Sequence, residues 1–203
     1  MPKVVYGLSN VHYAKLTETV ESGVTITSYG QIKPWPGAVN ISLDPAGDPV
    51  IFSADNSAYY TISNNQGYEG DYECARIPDD IRVDTLGNKK DANGFIVETD
   101  KDKVDYFALM FEINTDENPT RYIFYKVALS KRPTVAGQTV DVTGDIEIGT
   151  ETVTFKAMPM KSYVEIDGVQ CHLVKAFTGE QVNTTAYNNF YSDVYIPSFD
   201  GES

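Results

Sequence analysis

Cys171 and His172 are the only Cys/His neighbours in the chain, and so the first candidates for a nucleophile with its base. Adjacent residues on an extended strand point to opposite faces, so the two side chains are not expected to meet, and structural roles are favoured. Together with His12 and Cys74 they lack any paired zinc spacing such as Cys-x-x-Cys. The run Lys89-Lys-Asp-Ala-Asn-Gly94 places Asp91, Asn93 and Gly94 at the third, fifth and sixth positions of a calcium loop. Lys89 and Asp100 then occupy the first and twelfth positions, where such a loop needs Asp and Glu between flanking helices, so an Asn-Gly turn is the better reading. No phosphate-cradling glycine loop follows a strand, and no serine sits in a nucleophile elbow. Carboxylates are so abundant that a chosen pair says little about glycoside hydrolysis. No catalytic residue, metal or cofactor is expected.

One set of carboxylates is ordered rather than merely abundant. From Thr139 to Ile148 the alternation puts Val140, Val142, Ile146 and Ile148 on one face and Asp141, Thr143, Asp145 and Glu147 on the other, with Glu151 nearby. Such a face is either solvated or built to repel a polyanion, and the residues alone leave both open.

The elements that would carry these residues are strands. In Val104–Ile113 the residues Phe107, Leu109, Phe111 and Ile113 form an apolar face, with Glu112 on the other. In Arg121–Leu129, Ile123, Tyr125, Val127 and Leu129 fall on one side and Tyr122, Phe124 and Lys126 on the other, so this strand is covered or shared on both faces. Thr152–Ala157 moves the apolar phase to Val153 and Phe155, which predicts a turn or bulge near Gly149-Thr150. Asp167-Gly168 is the strongest hairpin signal, within 163–177. One short helix of about nine residues is predicted, with Pro78 in its first turn, Asp79 and Asp80 at its positive end, Ile77 and Ile81 on one face, and Gly87 at its close. Trp35 lies between Pro34 and Pro36, which excludes a helix and suggests an exposed or rim position. The tail from Thr178 carries Tyr187, Phe190, Tyr191, Tyr195 and Phe199, too many aromatics for a free segment, so part of it should pack on its own domain or a neighbour.

At 203 residues with 14 Tyr, the chain suits one mainly β domain. Its formal charge of −13 disfavours adhesion to nucleic acid or anionic lipid. The first residues hold no signal-like apolar run and no stretch is long enough to span a bilayer, so a soluble protein made in the cytoplasm, with two reduced thiols, is expected. Asn40-Ile-Ser42 and Asn183-Thr-Thr185 match the glycosylation pattern, which has no meaning without secretion.

Several stretches, taken in order over most of the chain, resemble one family. They are Tyr6-Gly-Leu-Ser-Asn-Val-His-Tyr-Ala14, Pro36-Gly-Ala-Val-Asn-Ile-Ser-Leu43, Ala54-Asp-Asn56 with Tyr59-Tyr60, Thr85-Leu-Gly87 with Asp91-Ala-Asn-Gly94, and Tyr106-Phe-Ala-Leu-Met-Phe-Glu112 leading into Arg121-Tyr-Ile-Phe-Tyr-Lys126. In these the chain resembles the major tail proteins of long non-contractile-tailed bacteriophages, the phi13-type family of tail tube proteins. The resemblance implies a β-sandwich or barrel of the phage tail tube type with one short flanking α-helix and extended N- and C-terminal arms. It implies a single domain over 1–203, with 1–20 as an arm or first strand, 178–203 as a C-terminal arm, and no C-terminal immunoglobulin-like domain.

Proteins similar to this one are structural virion proteins, not enzymes, and use no cofactor. They form hexameric rings stacked into a tail tube around a tape measure protein, bounded by tail terminator and distal tail or baseplate proteins. DNA passes through the lumen without specific binding, and no membrane is engaged; assembly takes place in the host cytoplasm. On this resemblance Asp141, Asp145, Glu147 and Glu151 are lumen candidates, and the two-faced central strands would complete a sheet shared around the ring. Contacts between subunits or rings are expected at Tyr6, Leu8, Val11, Tyr13, Trp35, Asp48, Asp55, Tyr191 and Tyr195. A monomeric carbohydrate-binding β-sandwich using Trp35, Tyr59 and Tyr60 is the alternative, and a carboxylate-based hydrolase ranks last.

Overall fold

Period-two patterning produces strands along about half of the described residues. The computed structural model describes residues 4–54, 57–62, 64–135 and 149–199. In chain order these contain β1 (Val5–Glu21), β2 (Val24–Tyr29), β3 (Lys33–Pro34), β4 (Ala38–Ala46), β5 (Val50–Ala54), β6 (Ser57–Ile62), β7 (Gly67–Cys74), helix α1 (Asp79–Leu86), β8 (Lys89–Lys90) and β9 (Ile96–Val97). There follow β10 (Phe107–Thr115), β11 (Thr120–Leu129), β12 (Glu151–Ala157), β13 (Val164–Ile166), β14 (Val169–Cys171), β15 (Lys175–Phe177) and helix α2 (Thr184–Asn188). The predicted acidic strand, with Asp141, Asp145 and Glu147, lies outside the described residues, as does Asp55.

Nine strands form one antiparallel sheet in the order β2-β1-β10-β11-β12-β7-β4, with β3 beside β1 and β15 beside β11. The sheet curls so that β4 lies against β1, and its concave face encloses the main core, including Tyr13, Trp35, Tyr72, Phe107, Leu109 and Phe155. Trp35 is only 1% exposed, against the rim position expected for it. Its amide donates to the Val11 carbonyl at 2.7 Å and its indole meets Tyr72 edge-on at 4.9 Å. The flanking prolines do exclude a helix, but the turn they make directs the ring inward.

The two-faced character of β11 has two causes. Phe107 pairs with Val127 whereas Leu109 pairs with Phe124, so β11 holds one extra residue, a β-bulge. Tyr122, Phe124, Val127 and Leu129 therefore share the concave core, while Ile123 and Tyr125 enter a second cluster with Met110, Met160 and Phe190. The single face expected for Ile123, Tyr125, Val127 and Leu129 is split at this bulge. The second cause is cover from the same chain: Leu173, Ala176, Tyr191 and Val194 pack over the convex side of β10 and β11. These strands thus need no neighbouring subunit to bury both faces.

α1 matches the expected helix, with Pro78 at its N-cap, Gly87 closing it at φ 75°, and Ile77 and Ile81 fully buried. α2 is a second helix that the one-helix expectation omits. Asn183 caps it, its Oδ1 accepting from the amides of Thr185 at 2.9 Å and Ala186 at 3.3 Å. Asp167 at φ 50° and Gly168 at φ 77° make the predicted tight turn between β13 and β14, although that hairpin ends at Cys171. Cys74 is buried, Cys171 is half-buried, and both are free thiols.

Candidate functional site: a projecting hairpin and an acidic sheet face

β4 and β7 run side by side until the chain leaves them as a separate two-stranded hairpin, β5 with β6. Its neck is set by backbone geometry. Gly47 adopts φ 103°, and a Cβ there would lie 2.2 Å from the Asn64 carbonyl oxygen, so only glycine fits. Beyond the neck the hairpin pairs with no other described strand. Ile51, Phe52, Tyr59 and Tyr60 are all more than half exposed, and Phe52 and Tyr59 contact each other edge-on at 6.4 Å. From residue 50 to 62 the only charged residue is Asp55, in a chain that is 22% charged. A two-stranded hairpin is marginal in water by itself, and an apolar cluster of this kind marks a contact surface.

Next to the neck, the register of β4, β7 and β12 sorts their side chains into rows. Asn40, Glu73 and Thr152 form one row; Ser42, Asp71 and Thr154 the next; Asp44, Glu69 and Lys156 the third. The alternate rows, such as Ile41 with Tyr72 and Val153, turn into the core. Thr154 donates to Asp71 at 2.6 Å, and Lys156 meets Glu69 at 2.6 Å. These three rows are thus made of acids, hydroxyls and the Asn40 amide with Lys156 as their one cation, and Asp44, Glu69 and Asp71 are exposed there. Its signal is in the sequence: Glu69-Gly-Asp-Tyr-Glu73 alternates as plainly as the predicted acidic strand, but reads at first only as the lead into α1.

No family model matches this chain, and no curated protein is significantly similar to it.

The residues expected at contacts are dispersed. Tyr6 and Tyr195 are exposed, Asp48 is exposed at the hairpin's neck, and Leu8 is partly buried against the core. Val11, Tyr13 and Trp35 are core residues at 4%, 1% and 1% exposure, and so are corrected from contact candidates to internal packing. Tyr13 faces inward by alternation, on the same side of β1 as Val11; its hydroxyl donates to Asp84 at 2.9 Å, and burial followed by that carboxylate raises its pKa. Tyr191 is half-buried, its ring 4.6 Å from that of His12. Glu151 pairs across from Cys74, on the core side of the rows rather than with the acids, and accepts from the Ile77 amide and from Arg82 at 3.1 Å. It therefore anchors α1. His172 Nδ1 lies 3.2 Å from the Ser162 carbonyl oxygen, and among the described residues no three His, Cys, Asp or Glu groups converge as metal ligands.

Proposed function

We propose that this chain is a structural virion protein of the tail tube type, self-assembling into stacked hexameric rings that form a conduit for DNA. The observation that carries the proposal is the β5–β6 hairpin, whose two strands are uncharged and expose four large apolar side chains on a molecule of net charge −13. Two such molecules repel through most of their surface and can approach only where charge is absent. The hairpin is that place, and it replaces Val11, Tyr13 and Trp35 as the leading contact. The acidic rows of β4, β7 and β12 support the conduit, since a wall past which DNA slides must present no cationic or sticky surface to it. Tape measure, terminator and baseplate proteins are the partners that go with this proposal.

The carbohydrate-binding alternative keeps Tyr59 and Tyr60 but loses Trp35, whose burial removes it from any sugar platform. Negative-stain electron microscopy of the purified protein, at low and high concentration in moderate salt, separates the two. Rings or hollow tubes of uniform width are expected. Small monodisperse particles at every concentration would overturn self-assembly and make a glycan screen the next step.

A further inference from the structure

Building on the self-assembly proposed above, we propose that the β5–β6 hairpin of one copy adds edge to edge onto β2 of a second copy. Native sheets protect their open edges with charge, proline or brevity. Among the described residues, β4 carries Asp44 and Pro45, the projecting end of β1 carries Glu18 and Glu21, and β13, β14 and β15 have three residues each. β2, Val-Thr-Ile-Thr-Ser-Tyr, has no charge and no proline over six residues. β6, Ser-Ala-Tyr-Tyr-Thr-Ile, has none over six either, and β5 none over five. The start of β1 is also uncharged and open on the side away from β10, but bulges at Gly7 and Asn10 break that edge, which leaves β2, β5 and β6 as regular strands without such protection.

The β2 edge is also aimed and held. Ser22 at φ 52° and Gly23 at φ 81° form a two-residue turn, which makes Glu21 and Val24 a hydrogen-bonded pair. Alternation then points the amides and carbonyls of Val24, Ile26 and Ser28 toward β1 and those of Thr25 and Thr27 outward. Among the described residues no backbone hydrogen bond takes the outward groups. Behind them, Ser162 donates to Thr27 Oγ1 at 2.8 Å, Tyr29 donates to the Tyr125 carbonyl at 3.0 Å, and Lys126 meets Glu18 at 2.6 Å. A strand already fixed in place loses little freedom when another strand adds to it.

The occupant is a second copy because the joined segments are uncharged while the molecules that carry them are strongly acidic, so the contact desolvates no like charges. Each copy offers one hairpin and one β2, so the contact can run head-to-tail from copy to copy, and the rings of the proposed function require that head-to-tail form rather than a reciprocal exchange within a two-fold pair.

The test uses two full-length variants. Thr25→Pro removes an outward amide while keeping the extended geometry that proline and its preceding residue accept at a sheet edge. Tyr60→Asp places a charge on the hairpin. Each alone should raise the assembly threshold at least about tenfold, with an unchanged melting temperature. An equimolar mixture should form one-to-one heterodimers by sedimentation, because the first variant keeps its hairpin and the second keeps its β2. If Thr25→Pro unfolds the protein, cross-linking replaces it: in a Cys171→Ser background, Thr25→Cys should form a disulfide with a Tyr60→Cys copy and not with itself. Thr25→Pro protein that assembles like wild type, a mixture that stays monomeric, or Thr25→Cys that pairs only with itself would overturn the pairing while self-assembly stands. Wild-type protein that is monomeric at every concentration overturns both.

Discussion

Lys126 is 5% exposed at its side chain, and its ammonium meets the Glu18 carboxylate at 2.6 Å, with the Tyr106 ring 4.3 Å away. Burial pushes the Glu18 carboxyl up, but the hydrogen bond and charge of Lys126, joined by Lys161, outweigh it and hold the pKa below its usual 4.5. A carboxylate depressed in the fold contributes stability above that usual value and loses it as pH falls through the lower folded value. Glu18→Gln should therefore flatten the loss of stability below about pH 4.5, read by urea unfolding across pH. Lys126→Met, which leaves Glu18 with only the more distant and exposed Lys161 at 3.5 Å, should cost about 3 kcal/mol, and adding Glu18→Leu should recover most of it. The sequence places Lys126 opposite an apolar face, but nothing in it marks a partner 108 residues away. Gly70 is a second such case, since a Cβ there would lie 1.9 Å from the Ser42 carbonyl oxygen. Gly70→Ala should part β4 from β7 and lower stability by about 3 kcal/mol or more, measured by thermal unfolding.

Among the elements, those with local signals were legible. α1 and the Asp167-Gly168 turn follow from residues a few positions apart, and the alternation of β10 and β12 names their core faces correctly. β11 was not, because its bulge is fixed by register against β10 and leaves no mark on β11 itself. The packing of the C-terminal segment was legible only as an excess of aromatics. What seats it is Arg121, whose Nε donates to the buried Glu112 at 2.7 Å while its guanidinium lies 3.9 Å from the Tyr187 ring centroid. Asn10 donates to the other oxygen of Glu112 at 2.8 Å, so one carboxylate ties β1, β11 and the C-terminal segment together. A lysine cannot reproduce a planar fork that bonds a carboxylate and stacks on an aromatic ring at once. Arg121→Lys should free residues 178–199 first, seen as faster hydrogen exchange and proteolysis there while β12 and β7 stay protected.

Across the whole molecule the decisive quantity is charge, and it bears on association more than on folding. Each copy carries −13, and a ring of six would carry about −78. The acidic rows were missed as a candidate surface because β7 alternates within a stretch that also leads into a helix, and only its pairing with β4 and β12 shows three polar rows on one face. Surface pairs such as Lys156 with Glu69 are too exposed to offset repulsion between copies, so apolar and strand-edge contacts must do so. Screening then sets the threshold. The Debye length falls from about 30 Å at 0.01 M salt to about 8 Å at 0.15 M, which confines each copy's field to its own surface while leaving uncharged contacts intact. The critical concentration for assembly should therefore drop as salt rises over that range, followed by light scattering at fixed pH. Hydrophobic contact is not weakened by moderate salt, so no reversal is expected within the range. The opposite trend, with assembly fastest in the most dilute buffer, would mean that ion pairs between copies drive association and that the hairpin is not the principal contact.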